Sequence, residues 1–373
     1  MPSKDAAATA SELKHIFNAA RIRHIADETQ AVYPSFDSAR FVARCVEGLD
    51  DLSLMQRLRR VSEALHATLP ADYRAALRIL RALAPRLNSG FVSMALPEYV
   101  AAYGADDVDA SLDALQFFTR VGSSEFAIRH FLRRDLHGTL AVMTRWSTDE
   151  NEHVRRLASE GTRSHLPWAK GVPGLVTQAR STRAIVDALY RDESETVRRS
   201  VANHVNDLSR DHPDVAADIA AGWSAAPDDH TPQVARHAMR TLVKKGHPAA
   251  LAVLGFSGAD FAVDGPVVTD DVVPLGSSVH FTARVTNEGT HPARAAIDFV
   301  LHFQKSRGST RPKVFKIGTR QIAPGETVDI AKAYSFRSQT TRVFHPGEHA
   351  VELQVNGVPF GRATFQLVAD EPA

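Results

Sequence analysis

A short pattern returns about every forty residues through the first two thirds of this chain. The stretch Val154-Arg155-Arg156 comes back as Val197-Arg198-Arg199 and again as Val234-Ala235-Arg236, with the valines 43 and 37 residues apart. Each copy follows an aromatic residue (Trp146, Tyr190 or Trp223) and a short acidic turn, such as Asp149/Glu150 or Asp192/Glu193. A weaker copy ends at Ile128-Arg129. Periods of about 40 residues belong to units of two antiparallel helices that cannot bury their apolar faces alone and must stack. The first region is therefore expected to be a HEAT-like α-solenoid, its second helices lining a concave face. The acidic pairs are expected at the start of those helices, where carboxylates complement the helix dipole.

Near residue 260 the period changes from helical to two. Val279-Phe281-Ala283-Val285, Ile297-Phe299-Leu301-Phe303 and Val351-Leu353-Val355 alternate as half-buried strands do. Turn residues separate them, among them Ala323-Pro324-Gly325, His345-Pro346-Gly347 and Asn356-Gly357. About seven short strands over roughly 105 residues point to an immunoglobulin-like β-sandwich. The expected layout is a helical-repeat domain over residues 1–255 and a sandwich over residues 262–370.

One cysteine, Cys45, excludes an intrachain disulfide and a cysteine-based zinc site, and fits a reducing cytoplasm. The first residues carry no apolar stretch with a cleavage site, and no run reaches 18 apolar residues, so neither a signal peptide nor a membrane span is expected. Lys and Arg number 44 against 43 Asp and Glu, a balance that points to no polyanion partner. The distribution says more. Thirty-five of the 44 basic residues are arginine, the better residue for forked phosphate contacts. Two stretches, 161–186 and 301–325, lack any acidic residue.

Stacking the repeats puts Arg129, Arg155/Arg156, Arg198/Arg199 and Arg236 in a row. They can bridge to the acidic turns or grip a phosphate backbone, and one member of each pair can serve each purpose. The stretch from Glu160 to Lys170 breaks the pattern, and Pro167, Gly171, Pro173 and Gly174 make this an irregular basic loop rather than a helix. Trp168 on that loop requires a pocket inside the protein or a ligand outside it.

Three blocks, in order, carry a resemblance. They are Ser123 to Arg129, Arg155 to Trp168, and Ser200 to Leu208 followed by Asp211-His212-Pro213. Together they resemble the AlkC-type DNA alkylation repair glycosylases, and the helical-plus-sandwich layout matches members with an immunoglobulin-like C-terminal domain. Ser164 and His165 stand where that family more often has Pro and Arg. The resemblance implies hydrolysis of the N-glycosidic bond of 3-methyladenine and 3-methylcytosine in duplex DNA, with no cofactor, and without flipping the base into a pocket. Such cationic bases leave readily, so the enzyme must stabilise an oxocarbenium-like sugar and place a water, work that suits carboxylates. Glu125, Glu160 and Asp207, one in each block and expected on three successive second helices, are the candidate catalytic groups. Glu125 and Glu160 are expected at the lesion, and Asp207 at the water or the DNA. No lysine in the blocks is placed to form a Schiff base, so a monofunctional glycosylase without lyase activity is expected.

The candidate DNA contacts are Trp168, Arg163, Arg156, Arg199 and Arg129, and, in the sandwich, Arg307, Arg311 and Lys313 of the basic stretch. His204 and Asp207 stand at i and i+3 with no third ligand nearby, so no metal is assigned. A monomer is expected, cytoplasmic and at the nucleoid when bound to DNA. The rival reading is a non-enzymatic HEAT-repeat scaffold that binds DNA or protein through the same arginine face.

Overall fold

The structure is a computed structural model and describes residues 14–88, 90–256, 260–305, 309–337 and 343–369. Among them, fifteen α-helices from Ala19–Val32 to Pro248–Val253 precede eight strands. The chain divides into two compact units, one holding Met1–Val215 and Asp228–Ala238, the other Ala216–Pro227 and Met239–Ala373.

In the first unit the repeat has a local cause. Helices Val108–Phe118 and Ile128–Arg134 are followed by Leu136–Trp146 and Glu152–Glu160, then by Arg183–Leu189 and Glu195–Leu208. The turn before three of the second helices, Glu152–Glu160, Glu195–Leu208 and Thr231–Lys244, is built by an aspartate. Asp149 Oδ1 accepts from the Asn151 amide (2.8 Å) and Asp192 Oδ1 from the Ser194 amide (2.8 Å). Asp228 does the same for the amides of His230 and Thr231. These are Asx turns, and they place the acidic residues just ahead of the helices rather than in their first turns. Val154, Val197 and Val234 then enter the core at 0 to 3% exposure.

The segment after Glu160 is less irregular than its composition suggests, since it contains a five-residue helix, Pro173–Thr177, opened by proline. The preceding helix stops at Gly161, where a Cβ would lie 2.6 Å from Ile128 Cγ2. That close approach lets Ile128, Leu157 and Met143, all fully buried, meet beneath the bend.

In the second unit β1 (Phe261–Val268), β3 (Ser278–Asn287) and β6 (Thr327–Ser335) form one antiparallel sheet in the order β1-β3-β6. The other sheet runs β2-β8-β7-β4-β5, with β2 Val272–Pro274, β4 Ala293–Gln304, β5 Thr310–Ile322, β7 Gly347–Val355 and β8 Val358–Val368. Eight strands stand where about seven were expected; the extra one is the short β2, which pairs parallel to β8. Phe281, Phe299, Leu301, Leu353 and Phe365 fill the core between the sheets. The expected alternation is clean on β3 but not on β4, which buries both faces. Ala296 on the outer face of β4 packs with Leu251 and Phe256, so the last helix covers that face. Asn356 and Gly357, at φ 48° and 78°, form the two-residue turn between β7 and β8.

Candidate active site

The three carboxylates come together through arginines. Arg156 Nη1 donates to Glu125 Oε2 (2.9 Å), and its Nη2 lies 3.8 Å from Glu160 Oε1. Arg163 Nη1 donates to the same Glu160 oxygen (2.6 Å), while its Nε and Nη2 both reach Asp207 Oδ2 (2.8 and 2.7 Å). Arg210 Nη2 then lies 3.4 Å from Asp207 Oδ1. The result is an alternating line: Glu125, Arg156, Glu160, Arg163, Asp207, Arg210.

Local sequence explains the geometry. Arg156, Glu160 and Arg163 stand at i, i+4 and i+7, on one side of the helix and the turn that ends it. Ser200 and Asp207 share a face two turns apart on Glu195–Leu208. Ser200 Oγ donates to Glu160 Oε2 (2.6 Å), and Ser123 Oγ donates to Glu125 Oε2 (2.8 Å). Glu125 itself does not lie on a second helix. It occupies the turn before Ile128–Arg134, because the chain there bends at Gly122 and begins its helix only at Ile128.

The side chains of Glu125, Glu160 and Asp207 are 15%, 8% and 1% exposed. Burial raises the Glu160 carboxyl, but Arg163, Arg156 and the Ser200 hydroxyl together outweigh it and hold the group below the usual carboxylate range. At Asp207 burial wins over Arg163 and Arg210, and the carboxyl is pushed up. Two neighbouring acids that share one guanidinium are thus driven in opposite directions. Beneath them His204 is fully enclosed. Its Nδ1 bonds the Ser159 carbonyl (3.0 Å) and therefore carries the proton, so Nε2 accepts from Thr182 Oγ1 (3.0 Å). Burial first, and then the charge of Arg163, push it down to about 4.

The arginine row divides by position in the repeat. The first arginine of each unit grips backbone, and Arg155 also bridges to the next acidic turn, its Nε and Nη2 donating to the Asp192 carboxylate (2.6 and 3.0 Å). Arg155 Nη1 bonds the carbonyls of Asp149 and Glu150, Arg198 Nη1 those of Asp192 and Glu193, and Arg129 those of Gly161, Arg163 and Lys170. The second arginine meets carboxylates: Arg156 as above, and Arg199 with Glu195 (2.7 Å) on an exposed face. Of the expected DNA contacts, Arg129 is 2% exposed and Arg163 8%, with their donors directed inward to carbonyls and carboxylates. Arg156 and Arg199 keep access to solvent.

Trp168 is the exposed one of the three tryptophans, at 39%, and its φ is +63°. Of the sandwich candidates, Arg311 and Lys313 are exposed on β5, an edge strand, with Lys313 Nζ 5.2 Å over the Phe315 ring. Arg307 lies outside the described residues. Cations along an edge strand also keep it from pairing with another chain, a role independent of any ligand.

Sequence reasoning missed Ser200, Ser123 and Arg210. The signal for Ser200 and Arg210 was their spacing from Asp207 on one helical face. Among the described residues no group of three or more His, Cys, Asp or Glu is placed to hold a metal ion, and no helix is long and apolar enough to cross a membrane.

Comparison with known proteins agrees with this layout. Residues 262–369 match the family model described as "Uncharacterised protein YhaZ, C-terminal Ig-like domain". Over 359 residues the chain is 36% identical to the protein YhaZ of Bacillus subtilis (strain 168), covering 96% of this chain and 99% of that one. In structure it is similar to the Pseudomonas fluorescens alkylpurine DNA glycosylase AlkC, solved bound to DNA containing an abasic site analog. The TM-score is 0.88 at 45% identity, over 96% of this chain and 99% of the other. On the strength of both likenesses, which run nearly the full length, the chain belongs to the AlkC family of DNA glycosylases.

Proposed function

We propose that this protein hydrolyses the N-glycosidic bond of cationic alkylated bases, 3-methyladenine and 3-methylcytosine, in duplex DNA. The observation that carries the reading is the convergence of Glu125, Glu160 and Asp207, from three separate sequence blocks, into one line joined by Arg156 and Arg163. Glu160, held below the usual carboxylate range, stays ionised and faces the positive charge that develops on the sugar. Asp207, pushed up, has the stronger hold on a proton and takes the one that the attacking water gives up. The half-exposed Arg210 beside it marks the side from which water arrives. Glu125 flanks the lesion from the other end of the line.

No lysine stands in the three blocks, so the reaction ends at an abasic site without strand cleavage. The groups are strung along successive elements of an array, an arrangement suited to a lesion that stays in the duplex, and Trp168 touches its sugar or base edge. Arg156 and Arg199, with Arg311 and Lys313 of the sandwich, meet the phosphates. The protein works as a monomer at the nucleoid.

The test is direct. Methylated duplex DNA is incubated with the protein and free 3-methyladenine is measured; Glu160→Gln is expected to lower the rate by about 100-fold or more. No release by the wild-type protein, from DNA on which another glycosylase releases the base, leaves a scaffold that binds without catalysis. Release by Glu160→Gln at the wild-type rate assigns the work to another carboxylate.

A further inference from the structure

The segment from Gly161 to Lys170 presents Trp168 in a backbone conformation that bulky residues rarely adopt. A φ of +63° persists only where the surroundings impose it. It belongs to the third residue of a turn, Leu166-Pro167-Trp168-Ala169, closed by the Ala169 amide donating to the Leu166 carbonyl (3.3 Å) with proline in second place. One side chain holds the segment that carries this turn at both ends. Arg129 Nη1 donates to the carbonyls of Gly161 (3.0 Å) and Arg163 (2.8 Å), at the start of the segment, and its Nε donates to the carbonyl of Lys170 (2.9 Å), at the end. One planar, rigid fork thus ties both ends of the excursion, and Trp168 lies between the tied points. A charged group in the core is costly unless its donors are used, and an apolar side chain would fill the same space. Burial and the charge of Arg163 push Arg129 down to about 10, which leaves it charged at neutral pH.

We propose that Arg129 is a positioning residue for Trp168: its guanidinium closes the 161–170 segment into a fixed loop, so that the indole is held ready before DNA arrives. The proposal deepens the functional reading above, since it rests on Trp168 being the residue that meets the DNA. Arg129 touches neither base nor phosphate and acts through the loop alone.

Tryptophan fluorescence of the full-length protein reads the loop without any DNA. Trp146 and Trp223 are 5% and 2% exposed, so acrylamide quenching reports chiefly on Trp168, and Trp168→Phe fixes its share. Arg129→Lys keeps a buried cation but cannot donate along three fixed directions; Arg129→Met keeps the volume and removes the donors. Quenching of Trp168 is expected to rise in both, by up to about 2.5-fold, the ratio of full to 39% exposure. Affinity for a duplex holding an abasic-site analogue is expected to fall at least about tenfold in Arg129→Lys, yet to change by less than about twofold when the same substitution is made on Trp168→Ala. Circular dichroism at 222 nm identifies which variants retain their helices. Unchanged Trp168 quenching in a helical Arg129 variant overturns the proposal. So does an Arg129→Lys substitution that weakens binding equally with and without Trp168. Because the quenching needs neither substrate nor product, its outcome stands apart from whether the protein releases alkylated bases.

Discussion

Replacing Arg163 by methionine should make the stability of the helical unit fall with rising pH. In the native protein Arg163 lies between two nearly inaccessible acids, with three nitrogen–oxygen contacts of 2.6 to 2.8 Å. A pair of unit charges about 4 Å apart is worth about 4 kcal/mol at an effective dielectric of about 20. Two such pairs are offset by the cost of burying the guanidinium, and removing one partner of a buried ion pair typically costs about 3–5 kcal/mol. That is the expected penalty at pH 8. The sign with pH follows from the two carboxyls. With Arg163 present, Glu160 lies below its ordinary value and contributes stability that is lost only as acid protonates it. Without it, burial dominates at Glu160 as it already does at Asp207, and both acids lie above their unfolded values. An acid raised on folding contributes stability below its unfolded pKa and loses it as pH rises through the folded one. The penalty of Arg163→Met should therefore be large at pH 8 and much smaller at pH 5. Urea unfolding followed at 222 nm reports the helices rather than the sandwich. A penalty equal at the two pH values, or larger at pH 5, would refute the view that Arg163 neutralises two buried acids.

Three further outcomes are expected. Trp168→Ala should weaken binding to an abasic duplex by about 1–3 kcal/mol in fluorescence anisotropy, while its unfolding free energy stays within about 0.5 kcal/mol of wild type because the indole is exposed. His204, pushed down from 6.5 to about 4 by burial, favours the neutral form on folding, so its contribution is present above pH 6.5 and lost as pH falls toward 4. That amounts to about 3 kcal/mol, and His204→Gln should flatten the stability profile over this window in urea titrations. Gly357→Ala should lower the thermal midpoint of the sandwich unit, since φ is +78° and the added Cβ would lie 1.8 Å from Gly246 Cα. A midpoint within a degree of wild type would show that the turn and its neighbour can relax apart.

The legibility of the fold in the sequence followed the range of the interactions. The repeat was readable because each unit is built by near neighbours: an aspartate caps the turn, a valine enters the core, and an arginine binds carbonyls five and six residues back. The β3 alternation and the Asn356-Gly357 turn are local in the same way. The doubly buried face of β4 was not readable, since the helix that covers it lies some 40 residues earlier in the chain. Nor could the convergence of the carboxylates be read. Glu160 lies six residues after its repeat valine and Asp207 ten after its own, so aligning the repeats puts them at different heights. What reconciles them is the early stop at Gly161, beyond which Arg163 turns across to the neighbouring helix. The direction of the arginines was hidden for a related reason: Arg155 and Arg198 stand next to Arg156 and Arg199, which reach solvent, and only the partners of the first pair, carbonyls and for Arg155 the Asp192 carboxylate, show that they point inward.

The alternating line also answers an electrostatic difficulty. On the proposed reading, three carboxylates at a DNA site would repel the phosphates at each approach, and a purely basic site could not stabilise a cation at the sugar. Interleaving Arg156, Arg163 and Arg210 among Glu125, Glu160 and Asp207 leaves the line neutral as a whole, so it opposes the backbone little. The separate charges still act at short range, where each oxygen lies within a few ångströms of what it faces. Depth then sorts the roles. Arg163, enclosed between Glu160 and Asp207, orients both, while Arg156 and Glu125 lie nearer the solvent. A net charge of +1 over the chain is consistent with this division. On that reading the catalytic requirement is a local negative charge whose long-range field has been cancelled by its own neighbours.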